Sequence, residues 1–450
     1  MNYPVSDLKS AYRACNPNTP LPVEDERYID LSPVRGEGQN VVKKIAKAIN
    51  YKIPDEDAVI DHYYRQLVTG HRGCGKSTEL VRLQARLEQD RIFVVYFDVE
   101  PRLNLADVDY IDILLLIAYQ VVEKFNAAEM PLDQRLVDAI YQWLAETTKV
   151  SIADRELNGE IKTEAELKTG FPLLGKMLAR LSAGVRTNEL ERKEIRQTLR
   201  KEWYTFVERL NLLLEQARLK VKQHGHCDLV VIVDGLEKMF YEPIRDNAGN
   251  PTGESTHSLL FIKHAEQLTA PKCHLIYTIP ISLLYQNNVI STFGADGVST
   301  IPMVNLKHQE GVIRLIDLIE KRVAIDQVFE HRDLVDELVK MSSGAVRDLM
   351  RLIRMACLNT ETDHIDKESV AQAVRALVHE YSRLVHEKDI KALQSVANDH
   401  WATGDEKYLR LLHNRVIHEY QDQNGELWAE LHPAVRKVEW VMKQIKSPSA

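Results

Sequence analysis

The chain has 450 residues, 44% of them hydrophobic and 28% charged, with 19 glycines, 16 prolines and a formal net charge of −8. Those proportions exclude fibrous, low-complexity and disordered chains and favour helices, and the length suggests two to three domains. The acidic balance argues against a surface built throughout for nucleic acid and leaves room only for a local basic patch.

Met1 to Ser10 carries no basic start followed by an apolar stretch, so no secretory signal is expected. The longest strongly apolar run, Ile113 to Ala118, is far shorter than the ~20 residues a membrane helix needs. A cytoplasmic protein with no membrane partner is expected. The five cysteines, at 15, 74, 227, 273 and 357, show no ligand spacing and read as reduced thiols.

Residues 1–63 open with a polar, proline-bearing segment, pass through Asp30-Leu-Ser-Pro-Val-Arg-Gly36, and show a helical pattern from Val41 to Ile49. Gln66 to Thr69 then reads as a short buried strand running into a glycine loop. Ser77 to Glu88 follows as an amphipathic helix with Leu80, Leu83 and Leu87 on one face. Further apolar runs at Ile92–Phe97, Leu229–Val233 and Leu275–Thr278 lack polar alternation, as strands covered on both faces should. A fifth run, Thr300–Leu306, is interrupted by Pro302.

Between the second and third strands about 125–222 reads as a helical insertion, ending in a stripe of Ile195, Leu199, Trp203, Phe206, Leu210, Leu213 and Ala217. Helical patterns at Glu310–Val323, Arg332–Met341, Ala345–Leu358 and Lys367–His386 form an expected lid, with Asp366 as an N-cap. Two short helices, Ile390–Asn398 and Glu406–Leu412, precede a hairpin of Arg415–Tyr420 and Glu426–Leu431 around an Asn-Gly turn, the order of a winged helix.

The expected fold class is α/β: a five-stranded, mostly parallel phosphate-loop core with a large helical insertion, followed by an α-helical lid and a winged-helix module. The corresponding domains are 1–63 leading into the core, 64–306, 307–386 and 387–450.

Gly70-His71-Arg72-Gly73-Cys74-Gly75-Lys76-Ser77 matches the phosphate-loop pattern in full. Its glycines let consecutive backbone N–H groups curl round the β- and γ-phosphates of ATP, Lys76 neutralises phosphate charge, Ser77 ligates Mg²⁺, and the following helix adds its dipole. Thr78 and the loop residues complete this nucleotide-binding set. Leu229 to Asp234-Gly235-Leu236-Glu237 supplies two acids at a strand end. Asp234 is expected to hold the metal and Glu237 to orient the attacking water. Thr278 is a candidate for the γ-phosphate or that water, against the plainer reading of a strand-ending threonine. Arg347, in the first helical turn after Ser343-Gly-Ala, gains nothing from the helix dipole and so is assigned to ligand phosphate rather than to the surface. From Lys176 to Lys201 eight Lys or Arg face three Glu, a run that either contacts a phosphate backbone or, more commonly, forms a solvated helix face.

These motifs resemble the AAA+ and STAND branches of the P-loop ATPases over roughly residues 30–440. Ser343 to Leu349 is similar to the sensor-2 helix of origin-recognition initiators. Asp234-Gly-Leu-Glu237 looks more like NACHT-type STAND proteins, and Trp428 to Arg436 resembles the STAND winged-helix phrase around Met-His-Asp. The resemblance implies that His432 reaches the β-phosphate of ADP, against the plainer reading of a histidine that caps the helix begun by Pro433 or packs against Trp428; Val34 and Arg35 join the expected nucleotide contacts.

Two departures stand out: Gly235 occupies the place of the usual AAA+ glutamate, and no arginine occurs from 246 to 313, where many AAA+ proteins carry a finger. The implied function is a slow, Mg²⁺-dependent ATPase switch that self-assembles or acts on a separate effector protein, in bacterial defence against phage or mobile DNA. The alternative is a DNA-binding ATPase of the origin-recognition or transposition-loader type, using the winged helix and residues 176–201.

Overall fold

A computed structural model describes residues 2–36, 40–53, 63–147, 189–246, 248–286, 289–293 and 297–446. Nine strands lie among them: β1 (Arg65–Thr69), β2 (Phe93–Asp98), β3 (Leu229–Asp234), the short hairpin β4 (Pro243–Arg245) and β5 (Pro251–Ser255), β6 (His274–Thr278), β7 (Val298–Thr300), and the hairpin β8 (Ile417–Gln421) and β9 (Leu427–Leu431). The central sheet runs β2-β3-β6-β1-β7, and each of its neighbouring pairs is parallel. This is the five-stranded α/β core expected of a phosphate-loop fold.

Every residue of β3 is buried, because both sheet faces are covered. Leu229, Val231 and Val233 face the helices Tyr110–Ala127 and Trp203–Gln223. Val230 and Ile232 face Leu80, Leu83 and Leu87 of helix Lys76–Gln89 and Ile45 and Ile49 of helix Val41–Lys52. One strand therefore serves two cores through its two-residue period.

The last strand differs from expectation. It spans Val298–Thr300 and not Thr300–Leu306. Ile301 still donates its N–H to Thr69 O at 2.8 Å, but Pro302 has no N–H to continue the ladder.

The crossover from β2 to β3 is helical where described: Tyr110–Ala127, Gln134–Thr147, Glu189–Lys201 and Trp203–Gln223. Trp143 stacks on Phe206 with ring centroids 5.7 Å apart. The part of the basic run at 176–188 lies outside the described residues. Two arginines of its remainder are used internally: Arg196 binds Asp112 at 2.6 Å and Asp107 at 2.8 Å, and Arg200 binds Asp109.

After β7 come helices Gln309–Glu320, Asp333–Met341, Val346–Asn359, Lys367–Ser382, Ile390–Asp399 and Glu406–His413, then β8–β9, paired from Ile417↔Leu431 to Gln421↔Leu427. They share one core with the N-terminal segment. Val5 pairs with Val323, and Ala11, Ala14 and Cys15 at and just after the first described helix, Leu8–Ala14, are buried in that core. Among the described residues no helix is long and apolar enough to cross a membrane.

Candidate functional site

The phosphate loop joins β1 to helix Lys76–Gln89, whose N-cap is Gly75. Lys76 is 3% exposed, and its ammonium donates to the carbonyls of Gly70 at 2.9 Å and His71 at 3.0 Å. It also stands 3.5 Å from Glu237 Oε1. A lysine so placed satisfies its charge on its own loop until a stronger anion arrives.

Asp234 ends β3 fully buried. Its Oδ2 accepts from Tyr96 Oη at 2.8 Å and its Oδ1 from Gly235 N at 2.8 Å. Burial and the neighbouring Glu237 push the Asp234 carboxyl up to about 6, while a hydrogen bond from Ser77 works the other way. A divalent cation between Ser77 and Asp234 would relieve that cost of burial, which is the physical sense in which this pair fits Mg²⁺. Glu237 follows on a 3₁₀ turn, Leu236–Lys238. Burial works to raise its carboxyl, yet Lys76 and then Lys238 hold it below the ordinary value. Its Oε2 is buried with no hydrogen-bond partner, an acceptor free for water.

Lys76, Ser77, Thr78 and Glu237 line one cavity together with Arg72, Gly73, Gly75, Arg35 and Arg347. Arg347 opens helix Val346–Asn359 and donates its backbone N–H to Gly73 O at 3.1 Å. A Cβ at Gly73 would meet Arg347 Cβ at 2.7 Å, so glycine is what lets the lid approach the loop this closely. Arg35 Nη1 pairs with Glu79 at 3.1 Å, and its Nη2 donates to Cys74 O, bracing the loop from below. Arg72 donates to the backbone carbonyls of Glu237 at 3.4 Å, Lys238, and Met239 at 3.3 Å, tying the loop to the acidic turn.

Several expected contacts lie elsewhere. Gly70, His71 and Cys74 are not in the cavity wall. Cys74 packs in the core beneath, and His71 turns to the C-terminal hairpin, where its Nε2 accepts from Glu419 N at 2.7 Å. Val34 also misses the cavity, being packed in the helical core, while its carbonyl accepts from Asn305 N at 3.0 Å. Thr278 is fully buried, and its hydroxyl accepts from Leu236 N at 3.1 Å. It therefore fixes the turn that carries Glu237, whose carboxylate it also hydrogen-bonds, and is itself not in the cavity wall.

His432 takes the plainer of its two readings. Fully buried, it stacks on Tyr381 at 4.1 Å, and its Nδ1 accepts from Ala434 N at 3.0 Å, capping the short helix Pro433–Arg436. Its Nε2 lies 3.8 Å from Asp348, whose carboxylate Arg415 holds with two contacts of 2.8 Å. With Nδ1 on a helix cap and its ring against Tyr381, this imidazole is not in the cavity wall.

One wall of the cavity is unanticipated by any motif. Asn16 to Leu21, with Tyr28 and Ile29, lines it. Leu21 N approaches Thr78 Oγ1 at 3.5 Å, and Arg82 lies over the Tyr28 ring at 3.4 Å. The run Asn16-Pro-Asn-Thr-Pro20 is turn-rich and aperiodic, so its only signal was composition. Asp98 and Lys238 join the lining too, 3.1 Å apart.

No protein-family model matches the chain, and no curated protein matches it either. Similar solved structures include the ORC2 protein of Aeropyrum pernix (12% identity, TM-score 0.38, covering 96% of this chain and 97% of that one). Others are the ORC1 protein of Aeropyrum pernix in complex with DNA (14%, 0.37, 93% and 95%) and the RuvB Holliday junction branch migration motor of Thermotoga maritima (13%, 0.34, 93% and 99%). At these identities and scores the likenesses name no family for this chain.

Proposed function

We propose that the chain is an Mg²⁺-dependent, ATP-binding and slowly ATP-hydrolysing switch of the AAA+/STAND type. The observation that carries this reading is the convergence of Lys76, Ser77, Glu237 and Arg347 on one cavity, with Asp234 directly behind Ser77. In this account Lys76 leaves the carbonyls of Gly70 and His71 for the β- and γ-phosphates. Ser77 and Asp234 would hold Mg²⁺, which would supply Lewis-acid neutralisation of charge on the phosphates. Glu237, with a free buried oxygen, orients the attacking water. Arg347 binds phosphate from the lid, so occupancy of the cavity favours the closed arrangement of loop and lid. Release of phosphate from Mg·ATP by the parent protein, lost in Glu237→Gln, tests the reading; no turnover by the parent would reduce it to nucleotide binding.

The helices Ile390–Asp399 and Glu406–His413 with hairpin β8–β9 are assigned to a winged-helix module. Self-assembly or action on a separate effector follows from the switch, and mass in solution with ATP, ADP and neither distinguishes assembled from resting states. A role in defence against phage or mobile DNA rests on the resemblance alone.

The second reading is a DNA-binding ATPase of the origin-recognition or transposition-loader type. The helix–helix–hairpin order favours it. Against it, the hairpin turn carries Asp422 and Glu426, and Arg196 and Arg200 are spent on internal aspartates. A loader binds duplex with an affinity that falls steeply with salt, whereas a switch without DNA does not.

A further inference from the structure

A second cavity, of about 300 Å³, lies where the start of the phosphate loop meets hairpin β8–β9. Its walls are mainly apolar: Ile281, Leu284, Tyr285, Pro302, Trp401 and Leu427. Two of these, Trp401 at 53% and Leu427 at 44% exposure, are large apolar side chains left facing solvent on the same cavity. Set among them is one carboxylate, Glu419, whose Oε2 accepts from Tyr285 Oη.

A carboxylate in an apolar recess is poorly solvated, and burial raises the Glu419 carboxyl above the usual range. The lining holds no Lys or Arg to answer it, and its histidine, His71, is kept neutral by burial, with the charge of Lys76 adding to the effect. The missing partner is a cation that brings its own apolar surface. An ammonium fits the charge, an indole face such as that of Trp401 attracts cations, and an alkyl tail matches the aliphatic wall.

We propose that this cavity is a second ligand site, taking a small primary alkylammonium ion whose head meets Glu419 and whose tail packs on Ile281, Leu284 and Pro302. The site adjoins the phosphate loop directly, since Glu419 N donates to His71 Nε2 at 2.7 Å. It requires no nucleotide, so it stands or falls apart from the ATPase reading.

Calorimetric titration of the full chain, without nucleotide, with n-hexylammonium, n-hexanol and n-hexanoate tests it. The expected result is hexylammonium bound at least ten-fold tighter than hexanol, with hexanoate excluded. In Glu419→Gln, which keeps a partner for Tyr285, hexylammonium should fall to the level of hexanol. Equal binding of hexylammonium and hexanol by the parent, or uptake of none of the three, overturns the proposal. So does an unchanged preference in the variant. Should the variant fail to fold, the comparison of three ligands on the parent decides alone.

Discussion

Asp98 Oδ1 occupies the place where a side chain on residue 235 would begin: a Cβ on Gly235 would come within 2.2 Å of it. Asp98 stands opposite Asp234 in the β2–β3 register, and Gly235 has φ +91°, so backbone and neighbour together demand glycine after the buried acid. The second acid arrives instead at Glu237, on a turn fastened by Thr278 and Arg72. Gly235→Glu should therefore not create a better ATPase. Its left-handed φ alone costs ~1–2 kcal/mol, and displacement of Asp98 adds to that. A lowered urea midpoint without a gain in turnover is expected; faster turnover at unchanged stability would contradict this account of the turn.

The two acids should separate by phenotype. Asp234→Asn is expected to weaken nucleotide binding only when Mg²⁺ is present, because its partner is the ion, while Glu237→Gln should bind Mg·ATP normally and turn over at least ten-fold more slowly. Binding and phosphate release measured side by side check both. Parental turnover in Glu237→Gln would move the water-orienting role to another residue.

Arg347→Ala should uncouple the lid. ATP would still bind the loop, but it would no longer protect the 310–385 helices from proteolysis, since the charge-assisted contact through which phosphate favours closure is gone. Equal protection in variant and parent would return Arg347 to a surface role.

Much of the site was legible because its signals are local. A continuous apolar run marks a strand buried on both faces, as in β3, and glycines followed by lysine and serine mark the loop between β1 and its helix. What was not legible is direction. Nothing in the chain order says that the Thr278 hydroxyl turns to Leu236 or that His71 turns to Glu419, whereas a histidine directly before the helix-starting Pro433 does read as a cap. Long-range partners decide those orientations. The wall from Asn16 to Leu21 escaped for another reason: short turn-rich peptides have no period. The internal use of Arg196 and Arg200 was hidden likewise, because the aspartates that bind them lie more than 80 positions away.

His71, His418 and His432 form a buried column between phosphate loop, hairpin and lid, with successive ring centroids 5.0 Å apart. Burial is the first cause of their lowered basicity: His71 and His432 fall to about 3 and His418 well below the ordinary value, helped by Lys76, Arg415 and one another. Asp348, facing His432, is buried yet held below the usual carboxylate range by Arg415 and His432. With folded values below the ~6.5 of free histidine, the released chain takes up protons that the column refuses. Stability is full above that value and is lost as pH falls toward 3. At pH 5 the loss is about 2 kcal/mol for each of His71 and His432. Protection factors of the β8–β9 amides, taken relative to intrinsic exchange at each pH, should therefore fall between pH 7 and 5, and His418→Leu should blunt the response. A hairpin equally protected at both pH values would show that the column does not couple these elements.

The most direct test is titration of a fluorescent ATP analogue, with Mg²⁺, against parent and Lys76→Ala. The ammonium contacts loop carbonyls and Glu237 and no apolar core, so its removal should lower the thermal transition of the fold without abolishing it. Saturable binding by the parent, with affinity lost in the folded variant, is the predicted result. Unchanged affinity in a folded Lys76→Ala, or no binding by the parent, would contradict a nucleotide site at this loop.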